Sequence, residues 1–154
     1  MGQTYQSIVI NTPVDEVWSA VRNFHDMSWA SNVVFRVEAV GETQGDGVGA
    51  QRLLNAAYRE TLLELDDAAR SFAYSIDDGP SPVSRTEVGN YVCRASFRPV
   101  TEDGSTFVEW SSTWEGNDEA VSKFFSNIYV ALLRGMKNSL EGGSKGSRLK
   151  LVAE

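Results

Sequence analysis

Apolar residues in this chain follow two spacings, and the change between them divides the sequence into strands and helices. Alternating or short apolar blocks between turn residues predict strands. These strands cover residues 5–10, 33–40, 48–54, 58–65, 70–76, 88–100 and 105–114. Steps of three and four residues instead predict helices. These cover residues 13–24 and 117–141, with a second short helix or turn over 25–30.

The order of these elements predicts the fold class. Consecutive strands joined by short turns must be antiparallel, because parallel partners need a long crossover connection. The chain is therefore expected to be α+β, with a seven-stranded antiparallel sheet and two short helices after the first strand. The last helix, at about 23 residues, is roughly 34 Å long and could cross a small domain. A sheet that buries one such helix must curl around it, and a curled sheet can enclose a hollow.

Side chains alternate between the two faces of a strand, so each long strand divides into two rows. On the last strand, the row with the aromatic residues is expected to face the helix. It contains Val108, Trp110, Ser112 and Trp114. On the strand before it, the less polar row is expected to face inward. It contains Tyr91, Cys93, Ala95 and Phe97.

The strand over 58–65 gives no clean apolar row, which leaves two interpretations of Glu60. It could be a solvated carboxylate on an edge strand, and alternation alone favours this interpretation. It could instead point into an enclosed apolar space, where its pKa would be raised and it could anchor a polar ligand or exchange protons.

The composition and net charge of the chain limit the classes of partner that are expected. The chain has 154 residues and a net charge of −7, from 21 acidic and 14 basic side chains. An acidic protein repels phosphate backbones, so no nucleic-acid partner is expected. Apolar runs are shorter than the roughly 18–20 residues of a membrane span. No secretory signal is visible, and a cytoplasmic location is expected.

Metal and cofactor chemistry has no visible basis in the sequence. His25 is the only histidine and Cys93 the only cysteine, which cannot make a zinc site. We therefore expect no metal and no cofactor. Residues 1–141 are expected to form one domain, and residues 142–154 a flexible Gly/Ser/basic tail.

Several short motifs, taken in order, resemble one known family. The opening strand leads into Asn11, Pro13, Asp15 or Glu16, Val17 and Trp18, followed by Gly47 and Gly49. Arg59-Glu60, Leu65-Asp66-Asp67, Tyr74-Ser75-Ile76 and Val108-Glu109-Trp110 follow. Together, over about residues 3–140, they resemble the START/Bet v 1-like (SRPBCC) superfamily, of the polyketide cyclase/dehydrase and lipid-transport type.

The resemblance implies a helix-grip fold with an apolar cavity between sheet and helix. It implies that Glu60, Tyr91 and Cys93 line this cavity, and that residues 55–57 and 77–84 form its entrance. The gate and latch motifs of the related plant hormone receptors are absent, so hormone sensing by that mechanism is not expected.

Three functions remain open. The first is binding of a small hydrophobic ligand (a lipid, sterol, polyketide or similar), as carrier or sensor. Its expected contacts are Glu60, Tyr91, Cys93, Val108, Trp110, Trp114, Phe125, Tyr129 and Leu133. On the helix, Val121, Ile128, Leu132 and Met136 are expected to anchor it to the sheet instead. The second is a cyclase or dehydratase in which Glu60 exchanges a proton and Tyr91 or Arg52 orients a carbonyl. The third is a protein-interaction module.

Overall fold

The computed structural model describes residues 1–142, and the predicted tail lies outside the described residues from residue 143 onward. Seven strands and two α-helices follow in chain order. They are β1 (Gly2–Ile10), α1 (Val14–Val21), β2 (Val37–Val40), β3 (Gln51–Leu54), β4 (Tyr58–Asp66), β5 (Ser71–Asp78), β6 (Gly89–Val100), β7 (Ser105–Glu115) and α2 (Asp118–Gly142). A single 3₁₀ turn, Ser28–Ala30, lies between α1 and β2.

The strands form one sheet in the order β1-β7-β6-β5-β4-β3-β2, with every neighbouring pair antiparallel. Only β1 departs from sequential order, since it pairs with β7 at the far edge. The long helix α2 packs against the concave face of this sheet. The predicted α+β helix-grip fold is confirmed.

The core lies between the sheet and α2, and the two predicted inward rows are confirmed. Every residue of both rows is at most 2% exposed. They are Val108, Trp110, Ser112 and Trp114 on β7, and Tyr91, Cys93, Ala95 and Phe97 on β6. A strict period of two over 11 or 12 residues fixes which face is buried.

Three elements are shorter than predicted by at least three residues, and one of them, the strand predicted over 48–54, begins only at Gln51. The first helix ends at Val21 and not at residue 24, because the next backbone groups bond elsewhere. The Phe24 N–H donates to the Gly45 carbonyl (2.9 Å), and the His25 N–H to Asn23 Oδ1 (2.9 Å). The strand predicted over 33–40 begins only at Val37.

Polar contacts fix the position of α2 along the sheet. Lys137 Nζ donates to the Val9 carbonyl (2.8 Å), and Asn32 Nδ2 to the Ala131 carbonyl (2.9 Å). Gly135 lets Asn32 approach this closely, since a methyl group at that position would overlap the Asn32 side chain. Among residues 1–142, neither helix is long and apolar enough to cross a membrane.

Candidate ligand cavity

A cavity of about 170 Å³ lies between α2, strands β3 to β5 and the segment that follows α1. Its apolar wall consists of Met27, Val33, Val34, Leu54, Ile76, Phe125, Ile128 and Leu132. Its polar wall consists of Arg52, Asn55, Tyr58, Glu60, Tyr74 and Tyr129. The wall of the cavity is predominantly apolar, with a few polar groups at defined places, as in known small-molecule sites.

Helix α2 contributes one continuous stripe to this wall. Phe125, Ile128, Tyr129 and Leu132 are spaced at steps of three, four and seven residues from the first. At 100° per residue, position 132 points within about 20° of position 125, whereas position 133 is turned about 80° away. This rotation explains why Leu132 reaches the cavity and Leu133 does not.

A buried ion pair forms the polar part of the wall. Arg52 on β3 and Glu60 on β4 are register partners, so their side chains leave the same face of the sheet. Glu60 Oε1 accepts from Arg52 Nε (2.8 Å) and also lies 2.7 Å from Arg52 Nη2. Each residue is only 4% exposed. The pair is thus removed from solvent and faces the cavity.

Arg52 has further partners that hold its guanidinium in place. Nη1 donates to the Phe24 carbonyl (2.9 Å). The guanidinium carbon lies 3.8 Å from the centre of the Phe24 ring and 4.9 Å from that of Tyr74. Cation–π contacts of this kind favour a charged arginine in a desolvated site. Arg52 therefore presents a fixed positive charge to Glu60.

Burial raises the pKa of the Glu60 carboxyl, and Arg52 opposes that shift through its charge and hydrogen bond. The interpretation of Glu60 as a solvated carboxylate, which alternation favoured, is wrong. The reason lies in β4, whose register with β5 shifts at Arg59/Glu60 and again at Leu62/Glu64. The first shift places its extra residue, Asp77, on β5, so Glu60 stays in an inner row with Leu62; the second bulges β4 itself and turns Glu64 outward, so the row does not continue to the end of the strand.

A chain of hydroxyl groups runs from the cavity wall into the core. Tyr91 Oη donates to Ser112 Oγ (3.0 Å), and Ser112 Oγ lies 2.6 Å from Thr4 Oγ1 on β1. Tyr129 Oη is hydrogen-bonded to Tyr91 Oη. Because the single Tyr91 proton goes to Ser112, Tyr129 must be the donor in that bond. Burial raises the pKa of Tyr91 and of Tyr129, so both hydroxyls keep their protons.

Residues 1–141 match the family described as polyketide cyclase/dehydrase and lipid transport. The chain belongs to that family. Its helix-grip fold is that of a ligand-binding SRPBCC protein. The comparison with curated proteins gave no match.

Solved structures of similar proteins agree with this assignment. A protein of Nitrosospira multiformis is 41% identical, with a TM-score of 0.89 over 93% of this chain and 99% of its own. XoxI of Bacillus cereus is 24% identical, with a TM-score of 0.75 over 91% and 96% of the two chains. A Thermobifida fusca protein is 22% identical, with a TM-score of 0.77 over 94% and 95%. The last two show the fold alone.

The cavity of this family member brings together some of the residues expected from the sequence. Glu60, Arg52, Phe125 and Tyr129 lie on its wall. The others lie in the core and away from the wall. These are Tyr91, Cys93, Val108, Trp110, Trp114 and Leu133.

Aromatic packing explains why the inner residues of β6 and β7 leave no space. The Tyr91 ring stacks on Trp114 at 5.5 Å between centroids and lies 5.3 Å from that of Phe125. The neighbouring Cys93 thiol has its pKa raised to about 12 by burial, so it stays a neutral core group. Tyr91 therefore influences the cavity through its contacts with Tyr129 and Phe125, which line it.

Sequence reasoning missed several wall residues. Ile128 and Leu132, expected to anchor the helix, line the cavity instead. Tyr74 and Ile76 alternate on the inner face of β5, and Met27 precedes the 3₁₀ turn. The seven-residue helical step from Phe125 could have identified Leu132, while Met27 carries no such signal.

Of the two expected entrance loops, only one borders the cavity. Asn55 is on the wall, while no residue of the loop over 77–84 is. Asn55 Oδ1 accepts from the N–H groups of Phe35 (3.0 Å) and Arg36 (3.2 Å), and Asn55 Nδ2 donates to the Val33 carbonyl (3.1 Å). These bonds explain why the strand predicted from residue 33 starts late: the Val33 and Val34 N–H groups donate to the Ala30 carbonyl, and the next two donate to the Asn55 side chain of this clamp, Asn55 with residues 33–36.

Proposed function

We propose that this protein binds a small hydrophobic molecule inside its cavity and acts as a carrier or sensor of that molecule. The observation that carries the proposal is a largely apolar cavity with a buried Arg52–Glu60 pair on its wall. Moving the apolar surface of a ligand from water into such a cavity is favourable by about 25 cal/mol per Å² of surface buried. The ion pair gives such a ligand one polar place at which to orient.

A thermal-shift screen tests the proposal. Sterols, fatty acids, polyketides and small aromatic compounds are each added in excess, and the melting temperature is followed. A ligand present at 100 times its Kd stabilises the folded state by about 2.7 kcal/mol. Absence of a shift with every class would contradict the proposal.

Two variants on the same helix make the screen specific. Leu132→Phe fills the cavity and should remove the shift, because Leu132 lies on its wall. Val130→Phe adds the same ring at an exposed position and should leave the shift unchanged. Equal shifts in both variants would place the ligand elsewhere.

A second candidate is an enzyme of the cyclase or dehydratase type. It is favoured by one observation, a buried Glu60 with a raised pKa beside Arg52 on a cavity wall. In this version Glu60 exchanges the proton and Arg52 orients the carbonyl, since the Tyr91 hydroxyl bonds Ser112 and Tyr129. Turnover of a bound polyketide that Glu60→Gln abolishes while binding persists would support it. Equal turnover by wild type and by Glu60→Gln would exclude a catalytic role of Glu60.

The remaining expectations belong to the same proposal. An interaction module would be favoured by a filled interior, and the 170 Å³ cavity gives it no such support. The net charge of −7 argues against a nucleic-acid partner. A cytoplasmic location is part of the proposal, and fractionation of cells expressing the tagged chain would test it.

A further inference from the structure

The size of the cavity limits its occupant. An apolar cavity of about 150 Å³ in another protein accommodates benzene, whereas sites for drug-sized ligands measure about 300–1,000 Å³. The cavity here measures about 170 Å³. It is therefore matched to one ring with a small substituent and is too small for a four-ring sterol.

The hydrogen-bonding capacity of Glu60 is only partly used. Oε1 accepts a hydrogen bond from Arg52 Nε and lies 2.7 Å from Nη2, whereas Oε2 accepts no hydrogen bond from residues 1–142. Because Glu60 lines the cavity, a donor on the ligand could bond to Oε2, and a hydrogen bond to a charged group contributes about 1.5–3 kcal/mol.

Other polar groups on the wall narrow the chemistry. The Asn55 amide uses its oxygen and one of its two N–H groups in bonds to residues 33–36, and the Tyr129 proton goes to Tyr91. Tyr58 and Tyr74 also line the cavity, and burial raises the pKa of each, so both stay protonated; the Tyr74 hydroxyl is hydrogen-bonded with the Cys93 thiol, which leaves Tyr58 as the donor for a ligand. A ligand hydroxyl suits this wall, since it donates to one neighbour and accepts from another.

The charges on the cavity wall favour a neutral ligand over an ionic one. Arg52 and Glu60 neutralise each other at 2.7 Å, so the wall carries no net charge from this pair. A carboxylate ligand would meet the Glu60 carboxylate, and an ammonium would meet Arg52. Either ion would also lose its hydration in an apolar cavity.

We propose that the ligand of this cavity is a neutral, single-ring molecule bearing a hydroxyl group, which donates its proton to Glu60 Oε2. This inference rests on the proposed function and names the ligand class for the same site. The ring and the hydroxyl group of the ligand contact different parts of the wall: the apolar side chains pack against the ring, and Glu60 Oε2 accepts the hydroxyl hydrogen bond.

Two isomers test the hydroxyl directly. The compounds para-cresol and anisole have the same atoms and one ring, but only para-cresol carries a proton on oxygen. Kd values are measured at pH 8 by titration of amide resonances, with toluene as the apolar reference and para-toluate as the anionic analogue. A hydrogen bond to a charged group predicts that para-cresol binds about tenfold more tightly than anisole. Equal or tighter binding of anisole, or tightest binding of para-toluate, would overturn the inference.

Glu60→Gln should abolish this preference. Its amide oxygen must face the Arg52 donors, so its NH₂ group faces the cavity and can donate but not accept. The para-cresol advantage should fall from about tenfold to none. Glu64→Gln is the matched control on β4, since Glu64 is exposed and pairs with Arg94 on the outside. An unchanged preference in Glu60→Gln would overturn the inference.

Folding and size are controlled in the same series. An unchanged toluene Kd shows that the Glu60→Gln cavity is intact, and the wild-type isomer comparison stands without any variant. A larger ligand such as 2-naphthol that binds tenfold more tightly than para-cresol would overturn the size limit. If single-ring compounds fail while a larger hydrophobic compound stabilises the protein, this inference falls and the proposed function stands. If nothing binds, both fall.

Discussion

The interior of this protein has two regions that differ in how completely they are filled. Where α2 faces β6 and β7, stacked aromatic side chains such as Tyr91 and Trp114 leave no space. Where it faces β3 to β5, the same helix borders a cavity of about 170 Å³. One helix packed on one sheet therefore yields both a dense core and a binding space.

Strand length accounts for much of the difference. Strands β6 and β7 have 12 and 11 residues, and each delivers a full row of large side chains. Strands β2 and β3 have four residues each and deliver few. Beside them, residues 33–36 bond to Asn55 and not to a neighbouring strand. The cavity exists where the sheet brings too few side chains to fill the space under the helix.

The largest effect is expected in the filled region. Trp114→Ala removes a fully buried ring that stacks on Tyr91, and it should lower the free energy of unfolding by about 3–5 kcal/mol. Urea denaturation followed by circular dichroism measures this. A loss below about 1 kcal/mol would mean that the filled region is not the stable one.

The ion pair in the cavity wall should respond differently to single and double substitution. Glu60→Leu leaves Arg52 buried without its partner and should cost at least about 3 kcal/mol. Adding Arg52→Met removes the unpaired charge and should restore most of that loss. Additive losses in the double variant would show that the two charges are not coupled.

Two adjacent leucines on α2 compare the regions directly. Leu133 is packed in the core, whereas Leu132 lines the cavity. We expect Leu133→Ala to cost about 3–4 kcal/mol and Leu132→Ala about 2 kcal/mol, because a side chain beside an existing space loses fewer contacts. Leu132→Ala should also admit larger ligands. Equal costs in urea denaturation would remove the distinction between the regions.

A smaller effect is expected from pH. Burial raises the Glu60 pKa in the folded state above the unfolded value of about 4.3, so the folded state holds this proton more tightly. The stabilisation that comes from protonated Glu60 is thus largest below the unfolded-state pKa, and it is lost as the pH rises through the folded-state pKa. The exposed Asp67 and Asp78 have lowered pKa values and act in the opposite direction.

The difference between wild type and Glu60→Gln isolates this contribution. From pH 4 to pH 8, wild type should lose stability relative to the variant. A constant difference across this range would show that the Glu60 pKa is not shifted by folding.

Much of the fold could be predicted from the sequence, because regular periodicity reports which face is buried. The β7 row from Val108 to Trp114 shows this most simply. Glu60 could not be placed in the same way, since the bulge between Leu62 and Glu64 breaks the alternation of β4. Its partner Arg52 is set by the pairing of β3 with β4, which no local pattern encodes. The sequence did not predict those cavity residues whose position depends on contacts between distant segments.

Asn55 carries a consequence for the kinetics of exchange. One amide side chain on the β3–β4 turn makes three hydrogen bonds to residues 33–36, whose Val33 and Val34 lie on the cavity wall. Opening that side of the cavity requires these bonds to break together, so a single residue would govern the residence time of a bound molecule. Affinity and dwell time would then be set by different residues, Glu60 for the first and Asn55 for the second.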